Sequence, residues 1–230
     1  MILTGIVAGG TGSRMGHTAL PKQFWELAGK PVFVYTAEAF LASTDFVIIG
    51  MNPAYVEQAR QLAEQFLPDK VFVIDGGADR NETVSRIIAF AREKLACQRE
   101  DVILTHDAVR PFVTQQMIQD SLAAVRNCDI CTAAVPATDT LAVSCDGSTA
   151  DSFPDRSQMF LVQTPQTFRI GDFEEIYRSL DEEEKHLATD VCRLFQAKHK
   201  KVKLIAGSPD NIKLTYLHDY QIACLLAKNR

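Results

Sequence analysis

The sequence has no long apolar run, no extended block of basic residues, no paired metal-ligand motif and no secretory leader pattern. Its N-terminal apolar stretch, Ile2 to Ala8, is interrupted by Gly5 and closed by Gly9-Gly10. That is far short of the roughly 20 residues a bilayer-spanning helix needs, and neither the charged nor the apolar region of a signal peptide is present. The expectation is therefore a soluble, cytoplasmic protein with no membrane partner. Lysine and arginine number 24 against 29 aspartates and glutamates, for a net charge of -5, and the longest basic cluster is the short His199-Lys200-Lys201 stretch. A nucleic-acid partner is excluded on that balance. The six cysteines are scattered, and the one close pair, Cys128-x-x-Cys131, has neither a second pair nor nearby histidines. This rules out a zinc site and a disulfide framework and reads as reduced thiols used for packing. No Asp-x-Asp occurs, as a metal-dependent nucleotide-sugar glycosyltransferase would commonly carry, and no Gly-Lys-Ser/Thr follows the glycines, as a P-loop would require.

What the chain does have is enough apolar residue to build a core, 47% of 230 positions, in short strand-like runs that alternate with helical periodicity. Strands are expected at 2–7, 46–49, 71–74 and 102–104, and helices at 32–41, at 54–66, from Val84 to Leu95, and from Thr114 onward. Asp79 with Glu82 three residues later signals a helix start. Strand followed by helix, repeated, implies an α/β fold with a doubly wound, mostly parallel, Rossmann-like sheet. One domain spanning 1–230 is expected. From about residue 130 the alternation lapses: 130–135, 140–143 and 160–162 read as strand, with a polar, turn-rich stretch between 144 and 156. A β-arm at about 137–160 is expected to protrude and to pack on a second copy, because a lone hairpin cannot bury both faces. Helices near 172–180 and 189–198, a strand at 202–205 and a last helix from about Leu217 complete the pattern.

The strongest chemical signal is the turn after the first strand, Ala8-Gly9-Gly10-Thr11-Gly12-Ser13-Arg14-Met15-Gly16, followed by Pro21-Lys22-Gln23. Glycines let the backbone approach phosphate oxygens, and Arg14 and Lys22 add charge that neutral donors lack. In a doubly wound sheet this turn, Gly76-Gly77 and the segment Asp107 to Arg110 all fall at the carboxyl ends of strands, where ligands bind. Asp107 is a candidate ligand for Mg²⁺ and Arg110 for an acidic substrate. Arg156, Lys213, Thr140, Thr164 and Thr189, taken singly, read as solvated charges, caps or turn residues. His106 reads as a packed or hydrogen-bonded histidine, and His17, His186, His199 and His218 show no partner pattern.

Taken together, the glycine turn, Pro21-Lys22-Gln23, Gly76-Gly77 with Asp79-Arg80, His106-Asp107-Ala108-Val109-Arg110-Pro111, Asp139-Thr140, Gln163-Thr164-Pro165-Gln166-Thr167-Phe168, Thr189-Asp190 and Asn211-Ile212-Lys213 resemble the polyol-phosphate cytidylyltransferases, from residue 3 to about 219. The resemblance implies a nucleotidyltransferase fold and CTP-dependent transfer of CMP to a sugar-alcohol phosphate, with Mg²⁺ as cofactor and pyrophosphate released. It implies Arg14, Lys22 and Lys213 as catalytic cations. It assigns CTP to Ala8, Gly9, Gly10, Thr11, Gly12, Gly76, Gly77 and Thr83. The polyol phosphate falls to Asp107, Arg110, Thr140, Arg156, Thr164, Thr189 and Lys213, with Asp107 also near the metal. It further implies a homodimer through the arm, with Thr140 and Arg156 supplied to the neighbouring copy. Within the family, Thr83, Val109, Val191 and Leu217 stand where the erythritol-phosphate branch usually has serine, alanine, an acidic residue and proline. The surrounding motifs look more like the ribitol-phosphate branch, whereas Leu161-Val162 is closer to the erythritol pattern. Ribitol 5-phosphate is therefore the expected acceptor, methylerythritol 4-phosphate the alternative, and a reductase that makes ribitol 5-phosphate the expected pathway partner. A glycosyltransferase and a catalytically silent nucleotide-binding regulator are the readings from other classes. The second has no need of the four cations Arg14, Lys22, Arg110 and Lys213, all of which are present.

Overall fold

The computed structural model of the chain describes residues 1–10 and 20–228. The elements run β1 (Ile2–Ala8), β2 (Glu26–Leu27), β3 (Lys30–Pro31), α1 (Val32–Glu38), β4 (Phe46–Met51), α2 (Val56–Phe66), β5 (Val71–Asp75), α3 (Arg80–Lys94), β6 (Val102–Asp107), α4 (Gln115–Ala124), β7 (Ile130–Pro136), β8 (Phe160–Arg169), α5 (Ile170–Ser179), α6 (Glu182–Leu187), α7 (Val191–Ala197), β9 (Val202–Ala206) and α8 (Leu217–Lys228). Seven strands form one sheet in the order β5-β4-β1-β6-β8-β7-β9. β1, β4, β5 and β6 are mutually parallel, β8 runs against β6 and β7, and β9 is parallel to β7. The sheet is thus mostly parallel with one reversed strand.

Helices cover both faces. One core joins α1, α2 and α4 to the sheet through Phe33, Phe40, Ile49, Leu104 and Met117. The other joins α3, α5 and α7 through Ile48, Ile87, Phe168, Phe173 and Phe195. This explains why the inner strands read as continuous apolar runs rather than alternating ones. A third, smaller cluster seats α8 on the β2–β3 hairpin through Leu27, Phe112, Leu214 and Ala223.

Local chemistry sets the helix starts. The Asp79 carboxylate accepts from Glu82 N at 2.8 Å, and Glu82 accepts in return from Ala78 N at 2.7 Å. Thr114 caps α4 by accepting from Met117 N, and Asp190 caps α7 by accepting from Arg193 N. These carboxylates and hydroxyls satisfy backbone donors that the first helical turn leaves unpaired. Helix α6 was not expected from apolar periodicity, because Glu182-Glu183-Glu184-Lys185 has none. It is held instead by a capping box between Asp181 and Glu184.

The expected strand at 140–143 is corrected: within 137–159 the only β contact is a single bridge, Val143 to Ser152. A strand needs a neighbour along its length, and this segment has one only at Val143. The segment leaves the sheet after β7 and rejoins it at β8, with Ala137 N donating to Met159 O at its base. Between Thr132 and Ala134 the β7–β8 register shifts, two steps on β7 facing four on β8. The bulge takes up Gln163, Thr164 and Pro165, and brings the Thr164 hydroxyl to Asp107 N at the end of β6.

Candidate active site

The chain goes one way from β1, to β4 and β5, and then crosses back so that β6 lies on the other side of β1. Such a reversal opens a crevice at the carboxyl ends of the two strands. A cavity of about 350 Å³ occupies it, lined among the described residues by Val7, Ala8, Gly9, Gly10, Lys22, Gln23, Gly77, Ala78, Asp79, Arg80, Thr83, Asp107, Ala108, Val109 and Lys213. Three loops and a residue from near the C-terminus therefore share one wall.

The first wall is backbone. Buried Gln23 donates from Nε2 to Ala8 O and to Gly10 O, both at 3.0 Å, and Asn52 Nδ2 donates to Gly9 O at 3.2 Å. Three successive carbonyls are thereby tied down by side-chain amides, which holds the peptide planes of the turn in one orientation. The expected nucleotide residues Thr11 and Gly12 and the expected catalytic Arg14 lie outside the described residues. The second wall is the turn before α3. Thr83 Oγ1 accepts from Gly77 N at 2.9 Å and donates to Asp79 O at 2.7 Å, so this hydroxyl holds the turn as well as lining the cavity. A Cβ on Gly77 would stand 2.5 Å from Glu82 Cβ, which is why glycine is needed there. Gly76 lies one residue outside the wall, its N–H given to Met51 O at 2.6 Å.

The third wall is a carboxylate among cations. Asp107 Oδ1 faces Arg80 Nε at 3.4 Å, while Oδ2 faces Arg110 Nε at 3.4 Å and Lys213 Nζ at 2.9 Å. Burial by itself would raise the Asp107 pKa. Arg80, Lys213 and Arg110 outweigh it and hold the carboxyl well below the usual carboxylate range. Burial pulls the Arg110 pKa down, and its pairing with Asp107 opposes that. Lys213 arrives from a segment 106 residues further along the chain, anchored where Leu214 N donates to Val109 O at 2.9 Å. Arg110 Nη1 donates to Asn211 O at 2.8 Å, and buried Asn211 donates from Nδ2 to Thr164 O at 2.9 Å.

His106 is fully buried, with Nε2 at 3.0 Å from Arg110 O and Nδ1 at 2.9 Å from Thr164 Oγ1. A carbonyl can only accept, so Nε2 carries the proton and Nδ1 accepts from Thr164. Thr164 Oγ1 in turn accepts from Asp107 N at 3.2 Å. Burial pushes the histidine pKa down to about 4, so it is neutral near pH 7 and acts as the expected packed histidine. Thr164 sits beneath Asp107 rather than free in the cavity. Thr189 is exposed at the start of α7, and Thr140 and Arg156 lie exposed on the arm, where Arg156 Nη1 donates to Thr138 O at 2.9 Å. One chain therefore brings together Ala8, Gly9, Gly10, Lys22, Gly77, Thr83, Asp107, Arg110 and Lys213 and leaves Thr140, Arg156 and Thr189 outside. Gln23, Arg80, Gln166 and Asn211 were quoted in the sequence motifs without a role. Their signal was present in part: an arginine in the first turn of a helix opposes the helix dipole and calls for another reason to be there.

A glycine-walled cavity with lysines on two sides and an ionised carboxylate between arginines suits a polyanion and a hydroxyl-bearing second ligand. The family model described as IspD, 2-C-methyl-D-erythritol 4-phosphate cytidylyltransferase, matches residues 2–228. The chain belongs to the IspD family. Within it, the chain is 40% identical over 228 residues to the ribitol-5-phosphate cytidylyltransferase of Streptococcus pneumoniae (strain ATCC 700669 / Spain 23F-1), covering 97% of each chain. The crystal structure of a 4-diphosphocytidyl-2C-methyl-D-erythritol synthase superposes with a TM-score of 0.80 at 27% identity, over 98% of this chain and 97% of that one. The 2-C-methyl-D-erythritol 4-phosphate cytidylyltransferase of Thermus thermophilus superposes with a TM-score of 0.76 at 25% identity, over 99% and 100%. The chain is thus an IspD-family nucleotidyltransferase with the α/β fold of its structural relatives. Among its described residues no helix is long and apolar enough to cross a membrane.

Proposed function

We propose that this enzyme transfers CMP from CTP to ribitol 5-phosphate, giving CDP-ribitol and pyrophosphate. The observation that carries the reading is the single cavity in which the glycine turn and Lys22 face the Asp107–Arg110–Lys213 cluster. The acceptor is assigned from the 40% identity, over nearly the whole chain, to a relative named for ribitol 5-phosphate. Methylerythritol 4-phosphate is the second reading, favoured by the family description and by the solved structures.

The chemistry needs no strong base. A phosphate monoester has a second pKa of about 6, so its oxygen is already anionic near pH 7. That oxygen attacks the α-phosphorus of CTP, the bond from that phosphorus to the β-phosphate oxygen breaks, and the electron pair leaves with pyrophosphate. What remains for the protein is positioning and charge stabilisation. Lys22 and Lys213 both line the cavity and supply positive charge there, and Arg14 is the third proposed catalytic cation. The backbone of Ala8 to Gly12 and Gly76-Gly77, with Thr83, is proposed to hold the nucleotide. Asp107 accepts from polyol hydroxyls while Arg110 and Lys213 hold the acceptor, with Thr164 supporting Asp107 from below.

Among the described residues no cluster of three or more His, Cys, Asp or Glu could hold a metal by itself. A single ionised carboxylate beside a triphosphate does fit Mg²⁺, which keeps several waters and binds through one or two carboxylates plus substrate phosphates. Asp107 is the residue proposed to touch it, and its contribution when bound is to neutralise phosphate charge. Thr140, Arg156 and Thr189, the residue just before the Asp190 cap of α7, are proposed to complete the acceptor site in a homodimer, the arm of one copy serving the cavity of the other. A cytoplasmic setting is supported by six free cysteines, and a reductase that makes ribitol 5-phosphate is the proposed source of the acceptor.

Purified protein with CTP, Mg²⁺ and either ribitol 5-phosphate or methylerythritol 4-phosphate should release pyrophosphate with the first. Release with neither rejects both acceptors, and release only with the second reverses the choice. Lys22→Ala should keep the melting temperature and lower turnover at least about a hundredfold, since a charge at a developing anion contributes several kcal/mol. Near-normal turnover would sink this mechanism.

A further inference from the structure

The Asp79-Arg80-Asn81-Glu82-Thr83 turn contains a cation to which the proposed mechanism gives no part. Arg80 is the first residue of α3, just after its Asp79 cap. A positive side chain in the first helical turn is disfavoured by the helix dipole, so local structure does not account for it. The side chain is largely enclosed, 16% exposed, and lines the cavity. Its nitrogens are unequally served. Nη1 donates to Gln166 Oε1 at 3.0 Å, and Gln166 Nε2 passes the contact on to Asp190 Oδ2 at 3.1 Å, the cap of α7. Nε reaches Asp107 only at a long 3.4 Å. Nη2 is buried and has no hydrogen-bond partner among the described residues. An enclosed guanidinium with unmet donors is costly, because burying N–H groups without acceptors forfeits their hydration.

Arg80 also joins the two halves of the site in one side chain, touching Asp107 on one side and, through Gln166 and Asp190, the start of α7 beside Thr189 on the other.

We propose that Arg80 is an acceptor-site residue: it positions Asp107 through Nε, ties the site to α7 through Nη1, and turns its remaining donor capacity to an oxygen of the polyol phosphate. This rests on the polyol-phosphate reading above. Lysine cannot replace it, since one ammonium provides charge without a planar fork that reaches three addresses.

The test compares wild type with Arg80→Lys and Arg80→Gln. In steady state, both variants should raise KM for ribitol 5-phosphate at least about tenfold and leave KM for CTP within about twofold, with Lys no better than partial rescue. Melting temperatures are measured on the same samples, and Arg80→Lys should remain folded. An unchanged acceptor KM, an equal rise in both KM values, or full rescue by lysine would overturn the proposal. Equilibrium titration of ribitol 5-phosphate into the protein needs no turnover, and there the variants should bind at least about tenfold more weakly. If wild type binds ribitol 5-phosphate but makes no CDP-ribitol, the transfer reading fails while the titration still decides the role of Arg80. If wild type does not bind it, both fall together.

Discussion

Asp107, His106 and Thr164 form a short hydrogen-bonded chain: Asp107 N donates to Thr164 Oγ1, which donates to His106 Nδ1, and His106 Nε2 donates to Arg110 O. His106 is the member with a pH signature. Its pKa is about 4 in the folded protein because burial disfavours the charged ring, against about 6.5 in an unfolded chain. Between those values the unfolded chain binds a proton that the native protein does not, so stability rises with pH across the window and is lost as pH falls through it. At about 1.4 kcal/mol per unit the full window amounts to roughly 3 kcal/mol. Asp107, held below the usual carboxylate range, keeps its full contribution above about pH 5 and loses it progressively as pH falls through and below that range, so it adds little to the pH dependence between pH 7 and pH 5. Thermal melts from pH 7 to pH 5 should therefore show a falling melting temperature in wild type and a shallower fall in His106→Gln. Parallel slopes would remove His106 as the cause. The sequence marked Asp107 and Lys22 because charged residues beside a strand end or a glycine turn are visible locally. It did not mark Gln23 or Asn211, because an amide becomes informative only when the carbonyls it serves are folded against it.

Strands and helices were legible wherever burial imposes a period. Strands β1, β4, β5 and β6 and helices α2, α3 and α4 fall close to where their apolar patterns placed them, with helix ends set by Asp79 and Thr114. The failures have a common cause in elements that bury little. Helix α6 rests on its capping box, and the expected 140–143 strand has no continuous neighbour. Packing between elements also places a demand that no local pattern reveals. A Cβ on Gly50, in β4, would lie 2.4 Å from Thr83 Cγ2 and 3.2 Å from Ile87 Cδ1. Gly50→Ala should therefore cost about 1–3 kcal/mol by overpacking and disturb the turn that Thr83 holds. Adding Thr83→Ser, which deletes the obstructing methyl, should recover part of the lost melting temperature. No recovery would show that the strain arises elsewhere.

At the scale of the molecule, the arm and the β8 residues that follow it carry five exposed large apolar side chains: Phe153 is 67% exposed, and Phe160, Leu161, Val162 and Val143 are each about half exposed, with others such as Leu187 and Leu225 outside this segment. Several exposed apolar side chains on one segment are the material of an interaction surface. The proposed occupant is a second copy of the chain, which would also bring Thr140 and Arg156 to a cavity they do not reach within their own chain. Leu161→Asp should convert a dimer into monomers in sedimentation equilibrium and lower turnover at least about tenfold. A wild-type monomer with full activity at micromolar concentration would refute the shared site.

The order of strands and helices, the glycine turn and the cations at strand ends follow from the sequence, because alternating burial and the need for φ/ψ freedom or charge are written residue by residue. The family resemblance added the roles those motifs play. Which cations face one carboxylate was decided only by the fold: β1 and β6 become neighbours through a crossover, and Asn211 pins the segment carrying Lys213 beside Arg110. Arg80 gained its place in the same way, since a contact between residues 27 and 86 positions apart depends on how the sheet closes and leaves no trace in a local pattern.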